Sequence, residues 1–380
     1  MAATASATPT STIPYFGRAW SISVQTQAGG TFQITNTVAA GEEPLRATFR
    51  IDTYMLTAFW IAEVKVYNMT ASTAAGVTGT SSSGQPQNMT LWQFNEALNA
   101  GDLVTISAGY QTTGQGQAFS SLGNQLFQGH LFQAAWTRTD VTDYVLTMRC
   151  IIGLMEDTLN FTSNNIPKNR NSLDVINQVA LDAGITIAGI NTGASTALSN
   201  QRFPRSQVFH DKPLKIIQDT CKQVGVFPWL DSKGLQLRRF DPSDTSGDNP
   251  LNAKPAFAYA PVNLTVPSTF TTTIKPTLLG VPNQIQKGVV FRVMMDNTVQ
   301  IGTVLQLAPG TFINFYAVTP GPGQNYPPAP NPSGIYICAG VRHVGDTRGP
   351  DWYSEITSFT SNFFAQWLQG TQPTTGQVSK

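Results

Sequence analysis

The residues best suited to acid–base or metal chemistry at neutral pH are three histidines, which lie far apart in the sequence. They are His130, His210 and His343. Asp346 and Asp351 follow His343 closely, so these three side chains could form an acid–base or metal cluster. The same spacing is typical of a turn at a strand end, in which an aspartate accepts hydrogen bonds from backbone amides. We predict the turn, and a structural role for His210, which precedes a predicted helix.

The remaining carboxylates form no pattern that catalysis requires. Glu42 with Glu43, and Asp244 with Asp248, lie in predicted loops, where solvation explains them most simply. A glycosidase needs two carboxylates held across a cleft, and the sequence singles out no such pair. The motifs G-x-S-x-G, H-E-x-x-H and the P-loop are absent from the sequence. We therefore predict a protein that is not an enzyme and that has no catalytic residues, no cofactor and no metal site.

Charge is sparse in this chain. Asp, Glu, Lys and Arg make up 12% of its 380 residues, against about 25% in typical soluble proteins, and none occurs between Asp102 and Arg138. A surface with few charges to desolvate suits permanent contacts with partners. The net charge of +1 argues against a dedicated nucleic-acid groove or an anionic membrane surface. Four arginines indicate either a solvated face or a contact with an acidic partner: Arg202, Arg205, Arg238 and Arg239.

The cysteines and the N-terminal residues indicate in which cellular compartment the protein is kept. Cys150, Cys221 and Cys338 are widely spaced and odd in number, which argues against a disulfide framework, and each lies in an apolar pattern that predicts a buried thiol. The N-terminal residues lack the basic and apolar segments of a secretion signal. No apolar run reaches the roughly 20 residues of a membrane-spanning helix. We therefore predict no membrane anchor, and a protein kept in a cytoplasm unless it leaves within a particle.

Residues 101–150 have the clearest strand pattern of the chain. Apolar and polar residues alternate over residues 104–110, again over 132–136 and again over 144–150. Threonine and aspartate at 139–143 supply turn chemistry between the last two segments. We predict a three-stranded antiparallel meander.

The residues before this meander extend the same β region. Alternation predicts strands at residues 20–24 and 31–34 and one or two more within 47–70. Residues 71–87 are rich in Gly, Ser and Thr and predict a long exposed loop. Residues 90–99 have apolar positions on one helical face and predict a short helix.

The middle of the chain changes to a helical period. Asn171 or Ser172 is predicted to cap a helix that ends at Gly184, and Asp211 to cap a second helix. A hairpin is predicted around the turn at residues 231–234. These elements predict a small α+β domain.

A last β region follows a segment rich in Asp, Ser, Gly and Pro, which we interpret as a linker. Residues 320–332 are proline-rich and predict an extended excursion outside the core. Four segments have strand patterns: residues 288–296, 301–307, 334–349 and 351–359.

Three parts of the sequence resemble the baseplate (tail) hub proteins of long-tailed bacteriophages, a family related to the late control protein D group. The first is GDLVTISAGY, followed by LFQGHLF and an acidic turn before a strand. The second is the order of the pair Tyr67-Asn68, a short helix and a Gly-Asp strand, with the helix pair and hairpin further on. The third is VVFRVMMD followed by GIYICAGVRHVGDTRGPDWYSEITSF, in which a His-x-x-Asp turn leads to a closing strand that contains Trp. Residues 71–87 depart from the family pattern as an insertion.

The resemblance implies a fold that is mainly β with an α+β insertion. Two tail-tube-like antiparallel β-barrel domains would flank a small α/β middle domain. The implied boundaries are a flexible N-terminus at 1–13, the first barrel at 14–156, the middle domain at 157–240, a linker at 241–256, the second barrel at 257–360 and a C-terminal tail at 361–380.

The resemblance also implies a structural virion protein. Three copies would form a pseudo-sixfold ring that joins the tail tube protein to the central spike protein. The ring would contact other baseplate proteins and line a channel for the tape measure protein and for DNA, which only passes through. Such a protein is assembled in the host bacterial cytoplasm and ends in the baseplate of the virion.

Two alternatives remain at this stage. One is another tube-like tail component, such as a distal tail or tube-end protein, although the helix pair between two β regions argues against a single-barrel tube subunit. The other is a β carbohydrate-binding protein or glycosidase, which exposed sugar-stacking aromatics would support.

The C-terminal segment FTSNFFAQWLQG concentrates aromatic side chains near the chain end. It predicts either a helix folded back on its own barrel or an anchor in a neighbour, because buried aromatic anchors are frequent at interfaces. The candidate partner-interface residues are Phe363, Phe364, Trp367 and Leu368.

Overall fold

The structure is a computed structural model with a mostly β architecture, and its described part contains three helices. None of these helices is long and apolar enough to cross a membrane. The structure describes residues 16–27, 29–35, 45–55, 60–67, 77–80, 86–89, 98–111, 125–138, 144–153, 161–241, 244–262, 264–265, 270–285, 288–314, 334–360 and 363.

Nine strands form the first β region, and they pair antiparallel in the order β3-β4-β9-β8-β7-β1-β2-β5-β6. The predicted meander is confirmed, since β8 pairs with β7 on one side and with β9 on the other. Alternation buries Trp20, Ile22 and Val24 on one face of β1, as predicted. The strands are β1 (Phe16–Gln25), β2 (Thr31–Thr35), β3 (Ala47–Tyr54), β4 (Ile61–Tyr67), β5 (Val77–Thr80), β6 (Pro86–Met89), β7 (Leu103–Gln111), β8 (Gln125–Arg138) and β9 (Tyr144–Ile151).

The prediction of one long loop at residues 71–87 is wrong. β5 lies within that segment and β6 begins there, and β5 pairs with both β2 and β6. Their sequences, VTGT and PQNM, are too short and too polar to alternate visibly, and only the ladder to β2 reveals them. Residues 90–97 of the predicted short helix lie outside the described residues.

The middle region contains the three helices and five strands. The first predicted helix is confirmed as α1: Asn171 accepts a hydrogen bond from Asp174 N at 2.7 Å, and Gly184 ends the helix with φ of 72°. The elements are β10 (Thr162–Ile166), α1 (Ser172–Asp182), β11 (Ile187–Ile190), α2 (Thr192–Asn200), β12 (Gln207–Asp211), α3 (Pro213–Gln223), β13 (Phe227–Asp231) and β14 (Gly234–Arg238).

Two details of the middle region differ from the prediction. Lys212, not Asp211, is the N-cap of α3, and Asp211 instead ends β12 and accepts a hydrogen bond from Lys212 N at 2.9 Å. α2 was not predicted, because TGASTALSN has small polar residues and little apolar periodicity. Its N-cap, the buried Asn191, accepts hydrogen bonds from Ala194 N at 3.2 Å and from Arg239 N at 2.9 Å. That cap ties α2 to the end of β14.

The second β region closes on itself. Its strands pair in the order β17-β18-β21-β20-β19-β15, and Leu278 N at the start of β17 donates to Ala260 O beside β15 at 3.1 Å. The enclosed core contains Tyr259, Phe291 and Tyr336. The strands are β15 (Ala258–Tyr259), β16 (Ile274–Lys275), β17 (Leu278–Ile285), β18 (Gly288–Met294), β19 (Val304–Leu307), β20 (Ile335–Asp346) and β21 (Trp352–Phe359).

The segment predicted as a linker has neither helix nor strand in its described residues, 241 and 244–256. It is nevertheless internally hydrogen-bonded, because the buried Asn249 donates through Nδ2 to Asp241 O at 2.6 Å and to Asp244 O at 2.7 Å. The proline-rich residues 320–332 lie outside the described residues. The domain boundaries stay predictions.

Candidate functional site at the junction of the two β regions

Strand β20 joins the two β regions into one sheet. Along one edge it pairs with β21 of its own region. Along the other edge its first residues pair with β19, and its last seven pair antiparallel with β3, from Gly340 opposite Tyr54 to Asp346 opposite Thr48. We call β3, β20, β21 and the turn at residues 346–352 the junction. Backbone hydrogen bonds rather than a loose tether therefore connect the two β regions here.

Trp352 of the junction is buried in the core of the first β region. Its ring packs edge-on against Phe49, with centroids 5.5 Å apart, and the Arg18 guanidinium lies 5.4 Å from its centroid. Arg18 Nη1 also donates to the carbonyl oxygens of Asp346, at 2.5 Å, and Gly349. β1 thus holds the turn between β20 and β21.

Asp346 is the polar centre of that turn. Its carboxylate accepts from Arg46 Nη2 at 2.6 Å, from Arg46 Nε at 3.2 Å and from Arg348 N at 3.0 Å. Burial alone would raise the pKa of Asp346, but the hydrogen bonds from Arg46 and from the backbone of Arg348 and Gly349 outweigh it and hold the pKa below its ordinary value. The predicted role of Asp346 as an acceptor for turn amides is confirmed.

His343 and the two aspartates do not come together. His343 is buried and its Nδ1 lies 2.8 Å from Ser354 Oγ, whereas Asp346 bonds Arg46 and Asp351 is exposed. Burial lowers the pKa of His343 to about 4, so the ring is neutral at neutral pH. Among the described residues, no group of three His, Cys, Asp or Glu side chains could hold a metal ion.

A row of alternating charges crosses the junction on the exposed face of the sheet. Residues on this row lie directly opposite one another on neighbouring strands or two apart on one strand, so their side chains share a face. Arg342 is central, with Nε 2.6 Å from Asp52 and Nη1 3.3 Å from Glu355. The charge row consists of Arg149, Glu63, Arg50, Asp52, Arg342, Glu355 and Arg292.

The charge row specifies pairing more than it stabilises the fold. Exposed ion pairs each contribute about 0–1 kcal/mol. The hydrogen bond to Asp52 raises the pKa of Arg342, and the bond to Glu355 raises the pKa of Arg292. A shift of β3 by one residue would turn its two charges, Arg50 and Asp52, toward the core and away from Arg342, so the row favours the observed register of the junction.

Of the four candidate partner-interface residues near the C-terminus, the structure describes Phe363. The Phe363 ring lies 4.7 Å from that of Phe359 and packs on a cluster that includes Met55 and Trp229, so this residue folds back on its own chain. The other three candidates lie outside the described residues: Phe364, Trp367 and Leu368.

The other two histidines lie on strands, and the three cysteines are buried. His210 on β12 lies with its ring 5.9 Å from Phe161, and His130 lies on β8. The three cysteines are free and buried, as predicted, and burial raises the pKa of the Cys150 and Cys338 thiols to about 12 and also raises that of Cys221.

Sequence reasoning missed the junction itself. The pairing of β3 with β20 joins residues about 290 positions apart in the chain, as between Arg342 and Asp52. The available clue was the placement of charges two residues apart on otherwise alternating strands, as at Arg50 and Asp52 or Glu63 and Lys65. Such spacing indicates a polar face that needs cross-strand partners, but it does not identify them.

Comparison with known proteins gives structural similarities at low sequence identity. No family model matches the chain, and no curated protein matches it. The 43 kDa tail protein of prophage MuSo2 from Shewanella oneidensis is similar at 10% identity and a TM-score of 0.47, over 90% of this chain and 97% of that one. A tail protein from Neisseria meningitidis MC58 is similar at 11% identity and 0.47, over 92% and 98%. A type VI secretion system component of E. coli is similar at 7% identity and 0.46, over 85% and 76%. TM-scores below 0.5 at such identities do not by themselves establish a shared function.

Proposed function

We propose that this protein is a structural component of a phage tail, the baseplate hub. Three copies form a pseudo-sixfold ring that joins the tail tube to the central spike and surrounds the channel for the tape measure protein and DNA. The observation that carries this proposal is the ladder between β3 and β20. A ring of six similar domains made from three chains needs two domains side by side in each chain, and this ladder supplies that arrangement.

The rigidity of the junction supports the same proposal. A cyclic ring closes only when the angle between successive domains is fixed. Here the angle is set by backbone pairing, by Trp352 inserted into the neighbouring core and by the two-pronged Arg46–Asp346 contact. A flexible tether would allow chains to associate in open or irregular forms.

The surroundings of the polar residues support a role without catalysis. His343 is neutral and buried, and the carboxylates near it in sequence take part in structural bonds or face solvent. The segments that resemble hub proteins, residues 101–150 and 288–359, contain β7 to β9 of the first β region and β18 to β21 of the second. Assays on peptidoglycan and polysaccharides are expected to show no turnover.

Negative-stain electron microscopy of the purified protein, alone and with its spike partner, tests the proposal. We expect threefold rings with six similar lobes around a central opening. A monomer or a dimer in the complete tail particle would contradict the proposal, and so would turnover of a polysaccharide that is lost in a His343→Gln variant. Rings with the wrong symmetry would leave a tail role but exclude the trimeric hub.

A further inference from the structure

A cleft of about 690 Å³ lies where the middle region meets both β regions. Trp60 contributes from the first β region, Trp229 and Gln236 from β13 and β14, and Ile301 and His343 from the second β region. Its volume lies in the range of ligand-binding clefts, and such clefts occur preferentially where domains meet.

Two hydrogen-bond donors line this cleft without an acceptor. The indole Nε1 of Trp60 is buried and has no partner among the described residues. The Ser354 hydroxyl accepts from Asp296 N at 3.0 Å and lies 2.8 Å from His343 Nδ1, nearer than any other acceptor, so it donates to that nitrogen and the ring proton is assigned to Nε2. Nε2 makes no hydrogen bond within the described part of the chain. A buried donor without an acceptor is costly, which applies to Trp60 Nε1, and His343 Nε2 is a second donor available to a ligand that brings acceptors.

The charged side chains of the cleft also favour a ligand with acceptors or negative charge. Lys233, Arg238 and Lys254 line it, and none of them forms an ion pair within the described ranges. The acidic lining residues are already engaged: Asp231 accepts from two backbone amides of the β13–β14 turn at 2.8 and 3.1 Å, and Asp248 accepts from the first backbone amide of α2 at 2.7 Å. The described lining of the cleft therefore presents three cations against two carboxylates that are already hydrogen-bonded, of which Asp231 also attracts Lys233.

We propose that this cleft binds an acidic segment of a partner polypeptide. Carboxylates of the segment pair with Lys233, Arg238 and Lys254, and a carbonyl or carboxylate oxygen accepts from the N–H groups of Trp60 and His343. An apolar side chain of the segment packs beside Trp229. This assignment requires no ring, so it stands or falls separately from the proposed hub role.

A polypeptide fits this cleft better than a nucleic acid does. Among the described residues, the cleft has three cations, whereas a nucleic acid presents a continuous row of phosphates and its binding depends on neutralising many of them. Tryptophan is enriched in protein–protein interfaces, and Trp60 and Trp229 both line this cleft.

Fluorescence anisotropy with a short fluorescein-labelled peptide of alternating glutamate and leucine tests the proposal on the full-length protein. We expect binding that weakens about tenfold in the double variant Lys233→Glu/Lys254→Glu, because two exposed attractions become repulsions. The matched control Lys168→Glu/Lys222→Glu makes the same change at exposed positions that do not line the cleft and should leave affinity unchanged. Trp60→Phe, which keeps a ring but removes the donor, should weaken binding several-fold.

Four outcomes would overturn the assignment. These are no binding of the peptide at low salt, equal weakening by both double variants, equal binding of a glutamine–leucine peptide, and tighter binding of a single-stranded DNA oligonucleotide that the cleft variants alone abolish. The last outcome would reassign the cleft to nucleic acid. Thermal unfolding of each variant confirms that a lost affinity does not reflect a lost fold.

Discussion

At the scale of single residues, burial of His343 makes the stability of the folded protein depend on pH. The charged group that acts on its ring is Asp296, which is itself paired with Lys275 at 2.7 Å. Burial outweighs the attraction to Asp296 and lowers the pKa of His343 from 6.5 to about 4. Between these two values the unfolded chain binds a proton that the folded chain does not bind, so stability rises with pH across this window.

We therefore predict that the folded state loses stability as pH falls from about 6.5 through about 4, with roughly 3 kcal/mol of the loss due to His343. The measurement is urea unfolding over this pH range for the parent and for His343→Gln, since the variant lacks the titrating ring. The difference between the two curves isolates His343 from the carboxylates that also titrate in acid. His210→Gln, at an exposed position, is the control. Parallel curves for parent and His343→Gln would contradict the prediction.

Residue-scale features were the most accessible to sequence reasoning. Apolar neighbours suffice to predict that Cys221 is buried, because a helical period places Ile217 and Cys221 on one face. Asp346 was assigned to a turn from its spacing alone. The partner of Asp346 was not predictable in the same way, because Arg46 is 300 residues earlier in the chain.

At the scale of elements, the contact between Arg46 and Asp346 ties the β20–β21 turn to the start of β3. We predict that Asp346→Ala lowers the free energy of unfolding by about 1 kcal/mol, because it removes a two-pronged charged contact and the acceptor for Arg348 N. Asp351→Ala, in the same turn but exposed, should change stability little. The measurement is urea unfolding of the two variants, in which a lower midpoint at an unchanged m-value indicates a lower free energy of unfolding. Equal effects of both substitutions would show that the contact does not hold the turn.

Elements were predicted well where they alternate and poorly where they do not. β7, β8 and β9 are all present; β7 and β9 keep a period of two, whereas the alternation predicted over residues 132–136 is broken in β8 by a register shift after Leu131, which leaves Phe132 52% exposed. β5, β6 and α2 carry short polar sequences, so their hydrogen bonds to neighbours decide their conformation rather than their own residues. Strand pairing could not be predicted from these patterns, because alternation identifies the buried face of a strand and not its partner.

At the scale of the whole molecule, the edge of β17 in the second β region is a candidate surface for contact between copies. β17 pairs with β18 along one edge; along its other edge, Leu278 N at its start bonds Ala260 O, and further on the described residues show a bridge from Asn283 to Asn314. Beside this edge, large apolar side chains are exposed, which is unusual for an isolated surface. They are Val262, Leu279, Val281 and Phe312. A partly paired edge next to exposed apolar residues favours contact with another chain.

If three chains close into the proposed ring, this edge of the second β region meets the first β region of the next chain. We then predict that Val281→Lys/Phe312→Lys prevents trimer formation, because each burial of a lysine in an obligate interface of well over ~2,000 Å² leaves a charge unpaired. Both side chains are exposed in the single chain, at 44% and 69%, so the variant should fold as the parent does. Leu181→Lys, on α1 and 74% exposed, is the matched control and should leave the trimer intact. Light scattering in the presence of the spike partner gives the mass, and thermal unfolding checks the fold. A trimer that survives the double substitution would remove this edge from the ring interface, and a trimer lost equally in the control would show that any added lysine disrupts it.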